Sequence, residues 1–356
     1  MELPPSTAFL SHSARWFCHG SHTTLVRPAC RGLLKSCLRT AAHAGPMRDI
    51  RQPVALLLPG QGAQFPRMAA ELYGGQPAFT AAMDEFFDAC GAQGSKLREE
   101  WLSGDPEVPI DDVTRAQPLL FAVDHAIGRA LIDAGTPPRA LLGHSVGELA
   151  AAALTGVFSL AEGAELMCRR AEAARLMPPG GMLAVAAAPD DLTPYLGGDV
   201  VIGAWNAPRQ CIVSGPEPEL TAAQRAIRDG GLMCRRVRAL QPFHSPVLRP
   251  AAEELRRCLA GMTLRPPAIP VRSCRTGRWV TAEEAVTPEF WAMQLADPVL
   301  FWPALDGLLG DGQGYTLVEA CLSQLAPLAR RHRAVRPGGS AVVTLGPDAF
   351  AVKAPM

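Results

Sequence analysis

The stretch Gly143-His144-Ser145-Val146-Gly147-Glu148 constrains this chain more than any other. The apolar run Ala140-Leu141-Leu142 leads into it, and an apolar helical segment from Leu149 to Val157 leads out. Strand, sharp turn and helix, with a serine at the turn, is the G-x-S-x-G pattern of a nucleophile elbow. Glycine at 143 and 147 lets the backbone bend tightly and pack closely around the serine. The turn lifts Ser145 Oγ off the strand end. Behind it, a helix N-terminus offers free N–H groups and a positive dipole end to a developing oxyanion. The same pattern also occurs as a plain strand–helix turn with a capping serine, so it needs support from the rest of the chain.

At 356 residues the chain suits one large or two modest domains with ample core. With 48% hydrophobic residues and a formal net charge of zero, neither nucleic acid nor a membrane surface is implied as a partner. No apolar stretch reaches the length of a membrane span. The ten cysteines show no C-x-x-C spacing and no pairing with histidines at zinc-ligand spacing, so scattered free thiols and no metal are expected. Lysine occurs only at 35, 96 and 353, the bias of a GC-rich coding sequence. Residues 1–46 hold one acid, Glu2, against Arg15, Arg27, Arg31, Lys35 and Arg39. They read as an organellar transit peptide, or as an extension ahead of a true start at Met47. A cytoplasmic location is expected, or the mitochondrial matrix if the segment is a transit peptide.

The fold opens at Pro53–Leu58, a continuous apolar run of buried-strand type, and turns through Pro59-Gly60-Gln61-Gly62-Ala63-Gln64. That loop can present backbone N–H groups to a ligand. Helices are expected at Pro66–Tyr73, Pro77–Cys90, Thr114–Ala134 and, after the elbow, Leu160–Met177. A change of rhythm follows: strand Met182–Ala188, helix Pro189–Leu196, strands Val200–Trp205 and Gln210–Ser214, helix Glu217–Gly230 and strand Leu232–Leu240. This β-α-β-β-α-β order is the ferredoxin-like signature. The chain then returns to helix (Pro246–Met262), strand (Ile269–Ser273), helix (Pro288–Leu295, Trp302–Leu309) and strand (Tyr315–Ala320). The expectation is therefore an α/β fold with a mainly parallel sheet, built from residues 53–180 and 245–348, carrying an insert at 181–244.

Five separated features resemble, in order and spacing, the malonyl-CoA:acyl carrier protein transacylase family, which includes the acyltransferase domains of fatty-acid and polyketide synthases. They are Pro59–Gln64, the elbow at Ser145, Arg170 twenty-five positions on, Trp205-Asn206-Ala207-Pro208, and Pro242-Phe243-His244-Ser245. Met293-Gln294-Leu295 ahead of Asp297-Pro298-Val299 resembles the family's glutamine segment. The match covers roughly residues 53–310, and the family fold, an α/β-hydrolase-like large domain with a ferredoxin-like insert, agrees with the pattern above.

The resemblance implies roles. Ser145 is the nucleophile that carries the acyl group as an ester, and His244 is the base. His144, adjacent to the serine, is the rival base, but neighbours on a sharp elbow diverge, so it reads as a packing or turn residue. In this family main-chain carbonyls and a glutamine hold the base, and Gln294 is the matching position. Arg170 grips the free carboxylate of malonate, unless it lies on a solvated helix face. Arg169, one residue and about 100° round the helix, lacks the family spacing. Gln61 and Val146 supply oxyanion-hole N–H groups. Asn206 is a substrate-side polar residue at the mouth between domains, or a turn asparagine before Pro208. Phe243, bulkier than the serine that accompanies methylmalonyl selection, favours malonyl.

The implied activity is transfer of malonyl from malonyl-CoA to the thiol of a holo acyl carrier protein, by a monomer without cofactor. A serine hydrolase and a catalytically silent carrier-binding module are the other classes. One departure stands out: the family's Glu-x-Gly-Pro-type turn is replaced by Glu319-Ala320-Cys321-Leu322, which puts the local geometry in doubt. The basic stretch Arg330–Pro337 is read as a solvated tail or a docking element for an acidic carrier.

Overall fold

The computed structural model describes residues 52–350; the reading of residues 1–46 falls outside them. The described chain begins with β1 (Val54–Leu58), every residue of which is buried. Helices α1 (Pro77–Ala89), α2 (Gly91–Leu102) and α3 (Val113–Asp133) follow, then β2 (Ala140–Gly143), α4 (Val146–Leu154) and α5 (Leu160–Arg175). A second group of elements comes next: β3 (Gly180–Val185), α6 (Pro189–Leu192), β4 (Val201–Ala207), β5 (Gln210–Pro216), α7 (Glu219–Asp229) and β6 (Cys234–Arg236). The chain closes with α8 (Arg249–Ala260), β7 (Val271–Arg272), α9 (Phe301–Leu309), β8 (Thr316–Ala320), α10 (Ala326–Ala329) and β9 (Ala341–Leu345).

The first sheet has five strands in the order β7-β2-β1-β8-β9, and every pairing is parallel. Its central strand β1 is apolar throughout because helices cover both faces, leaving no polar side for alternation. The second sheet, β4-β5-β3-β6, is antiparallel. With α6 and α7 it realises the expected β-α-β-β-α-β order, with the first and last strands, β3 and β6, paired to each other and β3 also paired to β5. Two hydrogen bonds join β4 to the later chain: Trp205 N–H donates to Val299 O at 2.8 Å and Val299 N–H to Gly203 O at 2.9 Å. Among the described residues no helix is long and apolar enough to cross a membrane.

Several elements differ from the sequence expectation. The helix expected at Pro66–Tyr73 shrinks to a single 3₁₀ turn at Ala70–Leu72, because Arg67 and Ala69 adopt left-handed φ values of 58° and 55°. Strand Leu232–Leu240 is only Cys234–Arg236, and Ile269–Ser273 only Val271–Arg272, which starts directly after Pro270. Helix α2 and strand β9 were not expected; α2 carries two glycines and only three apolar side chains longer than alanine pack along β9's half-exposed run. The basic stretch 330–337 is a connection between α10 and β9 rather than a tail. Arg331 Nη1 donates to Gln210 Oε1 at 3.0 Å, and His332 Nε2 meets Asp306 Oδ1 at 3.0 Å.

Candidate active site

Strand β2 runs out beside β1, and His144 N–H still donates to Leu58 O at 2.8 Å. The next residue, Ser145, takes φ 53° and ψ −122°, and α4 begins at Val146. A non-glycine residue in that region costs about 1–3 kcal/mol and persists only where packing imposes it. The packing is close. A Cβ on Gly147 would sit 2.1 Å from Leu58 O, and one on Gly60 would sit 2.5 Å from His144 O and 3.1 Å from Ser145 Cβ. Those glycines let the β1 loop lie directly against the elbow.

Ser145 Oγ lies 2.9 Å from His244 Nε2. His244 is also strained, with φ 61°, and its N–H donates to Leu295 O at 3.0 Å. Its Nδ1 is 3.0 Å from the main-chain carbonyl of Asp297, an acceptor only, so Nδ1 carries the proton and Nε2 accepts from Ser145. The Asp297 carboxylate is turned away, receiving Arg275 Nε at 2.7 Å. A backbone carbonyl therefore stands where a hydrolase triad places a carboxylate. Burial, then the Arg170 charge and His144, pull the His244 pKa down to about 3.

That shift sets a pH expectation. An ordinary histidine takes up a proton below about pH 6.5 and fails as a base, whereas His244 stays neutral until about pH 3. The kcat/KM for acylation of Ser145 should therefore remain flat from pH 8 to pH 5. A midpoint near pH 6.5 in that profile would contradict it.

Helix α5 opens with a capping box: Ser159 Oγ accepts from Glu162 N–H at 3.2 Å, and Glu162 Oε2 accepts from Ser159 N–H at 2.7 Å. Its buried stripe runs Leu160, Gly163, Ala164, Met167, Arg170, Ala171 and Ala174, so Arg170 faces inward at helical spacing. It is 0% exposed, while Arg169 lies outside, paired with Glu165 at 2.8 Å. Arg170 Nε donates to Gln117 Oε1 at 2.7 Å, and both terminal nitrogens are buried without a partner. Desolvation lowers its pKa to about 9. A buried guanidinium with two unpartnered donor groups is a site for a planar anion such as a carboxylate.

Gln117 was not singled out by sequence. It lies on α3, whose buried residues also include Arg115, Asp124 and His125, so no local signal in the sequence sets it apart. Its Nε2 donates to Gln61 Oε1 at 2.9 Å, so Arg170, Gln117 and the β1 loop form one chain of hydrogen bonds. Among the described residues, neither the Gln61 nor the Val146 backbone N–H donates to a protein acceptor. Phe243 is buried in the main core, its ring 6.4 Å from that of His244.

Two expected roles need correction. Both side-chain polar atoms of Gln294 are buried without a partner, and it is the residue's backbone carbonyl that faces His244. Asn206 is not the turn asparagine that the sequence also allowed. It lies within β4, is buried, and its Oδ1 accepts from His144 Nε2 at 2.9 Å. That bond occupies Nε2 of His144, and the imidazole within hydrogen-bond distance of Ser145 Oγ is that of His244.

The acyl transferase domain family model matches residues 56–325. A component of the phenolphthiocerol/phthiocerol polyketide synthase of Mycobacterium tuberculosis is 36% identical over 273 residues, 75% of this chain and 18% of that protein. Among solved structures, the acyltransferase domain from the second module of the salinomycin polyketide synthase superposes with a TM-score of 0.76 at 30% identity. That match covers 92% of this chain and 79% of the other. The malonyl-CoA:acyl carrier protein transacylase from Xanthomonas oryzae gives 0.74 at 27% identity, over 85% of this chain and 97% of that one. The chain belongs to the acyl transferase domain family. It spans less than a fifth of the length of the curated relatives it matches first.

In this acyltransferase domain the altered turn after β8 keeps a left-handed residue without a glycine. Cys321, at the position of the family's glycine, has φ 59°, and its N–H donates to Leu345 O at 2.8 Å. Glu319, 0% exposed, accepts from the N–H groups of Gln324, Leu325 and Ala326 at 2.8, 2.9 and 2.7 Å, holding the start of α10. The left-handed conformation costs a side-chain-bearing residue about 1–2 kcal/mol. Cys321→Gly should therefore leave Tm unchanged or raised, while the β-branched Cys321→Val should lower stability by about 2 kcal/mol. Thermal unfolding of the two variants checks this.

Proposed function

We propose that this acyltransferase moves a malonyl group from malonyl-CoA to the phosphopantetheine thiol of an acyl carrier protein, through an ester on Ser145. The Ser145 hydroxyl gives its proton to His244 Nε2 as Oγ attacks the thioester carbonyl. The oxyanion is met by the Gln61 and Val146 N–H groups. Collapse breaks the C–S bond, and the proton on Nε2 passes to the departing coenzyme A thiolate. The carrier thiol then reverses the sequence, giving its proton to Nε2 and displacing Ser145 Oγ. The Asp297 carbonyl keeps the Nδ1 proton in place throughout, holding the tautomer that both halves require.

One observation carries the malonyl reading. A fully buried guanidinium with both terminal nitrogens unpartnered acts electrostatically on the histidine that pairs with Ser145. A donor ending in a carboxylate satisfies this charge, and an acetyl donor does not. Phe243 beside the base supports malonyl over a branched homologue, a discrimination worth ~1–3 kcal/mol per methyl. Intact-mass measurement after mixing with malonyl-, methylmalonyl- or acetyl-CoA tests the reading, with the largest adduct expected from malonyl-CoA. An ester hydrolysed to free acid as fast as it forms, with no carrier present, would assign the site to a thioester hydrolase instead.

A further inference from the structure

The β1 loop carries one of the two N–H groups proposed for the oxyanion, and that group belongs to the Gly60–Gln61 peptide. A peptide next to glycine rotates at little steric cost, so its direction must be imposed. Gly60 O, at the other end of the same peptide, accepts from Ala63 N–H at 3.2 Å. The two flanking peptides are held by one side chain from the far end of the chain. Gln324 Oε1 accepts from Gly60 N–H at 3.2 Å, and its Nε2 donates to Gln61 O at 3.3 Å. The donor and acceptor needs of these two backbone groups decide the orientation of the amide.

Gln324 is itself anchored, because its N–H is bound by the buried carboxylate of Glu319 at 2.8 Å. Room for the amide comes from Gly62, where a Cβ would lie 2.8 Å from Gln324 Nε2. From the opposite side, Gln117 holds the Gln61 side chain. Three successive peptides are thus fixed, and the Gln61 N–H is the backbone donor they leave without a protein acceptor. We infer that Gln324, in the segment that departs from the family's glycine-proline turn, is a positioning residue for acyl transfer. Its amide holds the β1 loop so that the Gln61 N–H meets the oxyanion formed on Ser145. The inference rests on the serine-ester mechanism proposed above.

Gln324→Met keeps the side-chain length and removes both hydrogen bonds. At saturating malonyl-CoA, the rate of ester formation on Ser145, followed by rapid quench and intact mass, should fall roughly tenfold, less than the loss of an oxyanion donor itself. The half-saturating malonyl-CoA concentration should not move, because the Arg170–Gln117 contact is intact. A purely structural role would lower Tm and shift both kinetic parameters together. A wild-type rate, or a weaker half-saturation at unchanged rate, overturns the inference alone. Wild-type protein that takes up no malonyl on Ser145 overturns the mechanism beneath it and the inference with it. If Gln324→Met lowers Tm by more than about 5 °C, Gln324→Glu is read the same way. That variant keeps an acceptor for Gly60 N–H and loses the donor to Gln61 O. A slower rate at constant half-saturation supports the inference, and an unchanged rate overturns it.

Discussion

Replacing Ser145 with alanine should leave no malonyl on the protein and cut transfer to a carrier by at least ~10³-fold, since nucleophile and base act as a unit. Stability should hardly change. Alanine keeps the Cβ that the elbow already accommodates at φ 53°, and the only side-chain bond lost is the one to His244 Nε2. His244→Ala should give a loss of similar size, because the serine proton then has no acceptor within 2.9 Å. The readout is intact mass after incubation with malonyl-CoA. A full adduct on Ser145→Ala, or malonyl on one of the cysteines, would rule out the ester mechanism.

Arg170→Ala should separate donors. With the guanidinium gone, the malonyl carboxylate enters a dry pocket without a partner. Losing one member of a buried charge pair costs ~3–5 kcal/mol, so malonyl transfer should fall by roughly a hundred-fold or more. Acetyl transfer should survive or improve, because the pocket becomes larger and neutral. Tm should hold, since the unliganded protein buries this charge with a single hydrogen bond, Nε to Gln117 Oε1 at 2.7 Å. The same change removes the second cause of the depressed His244 pKa, so any acid limb of the acetyl profile should move to higher pH. Equal loss of both donors, with a lower Tm, would make Arg170 a structural residue and remove the reason to call malonyl the substrate.

The architecture was legible where side-chain pattern reports burial directly. The all-apolar β1, the β2–elbow–α4 transition, and the alternation of short strands and helices between residues 180 and 236 all follow from periodicity. Elements with little pattern were not: glycine-bearing α2, the short edge strand β9, and the 66–73 turn, where two left-handed residues interrupt a helix-like composition. In the candidate site, the resemblance to the family singled out Ser145, His244 and Arg170, and the structure places Ser145 against His244 and buries Arg170. What only the tertiary structure decided is how these groups are held. His244 is oriented by the Asp297 backbone carbonyl, 53 residues away, a group every residue possesses and no sequence can single out. Asn206 was visible, but its partner His144 lies 62 residues off on the elbow, so its role could not be read locally. Gln117 and Gln324 reach the same loop from α3 and from the turn after β8, the latter across 264 residues. Local periodicity encodes which face of an element is buried. It carries no information about which distant polar group that face will meet, and that pairing is settled only when the two sheets and their helices close on one another.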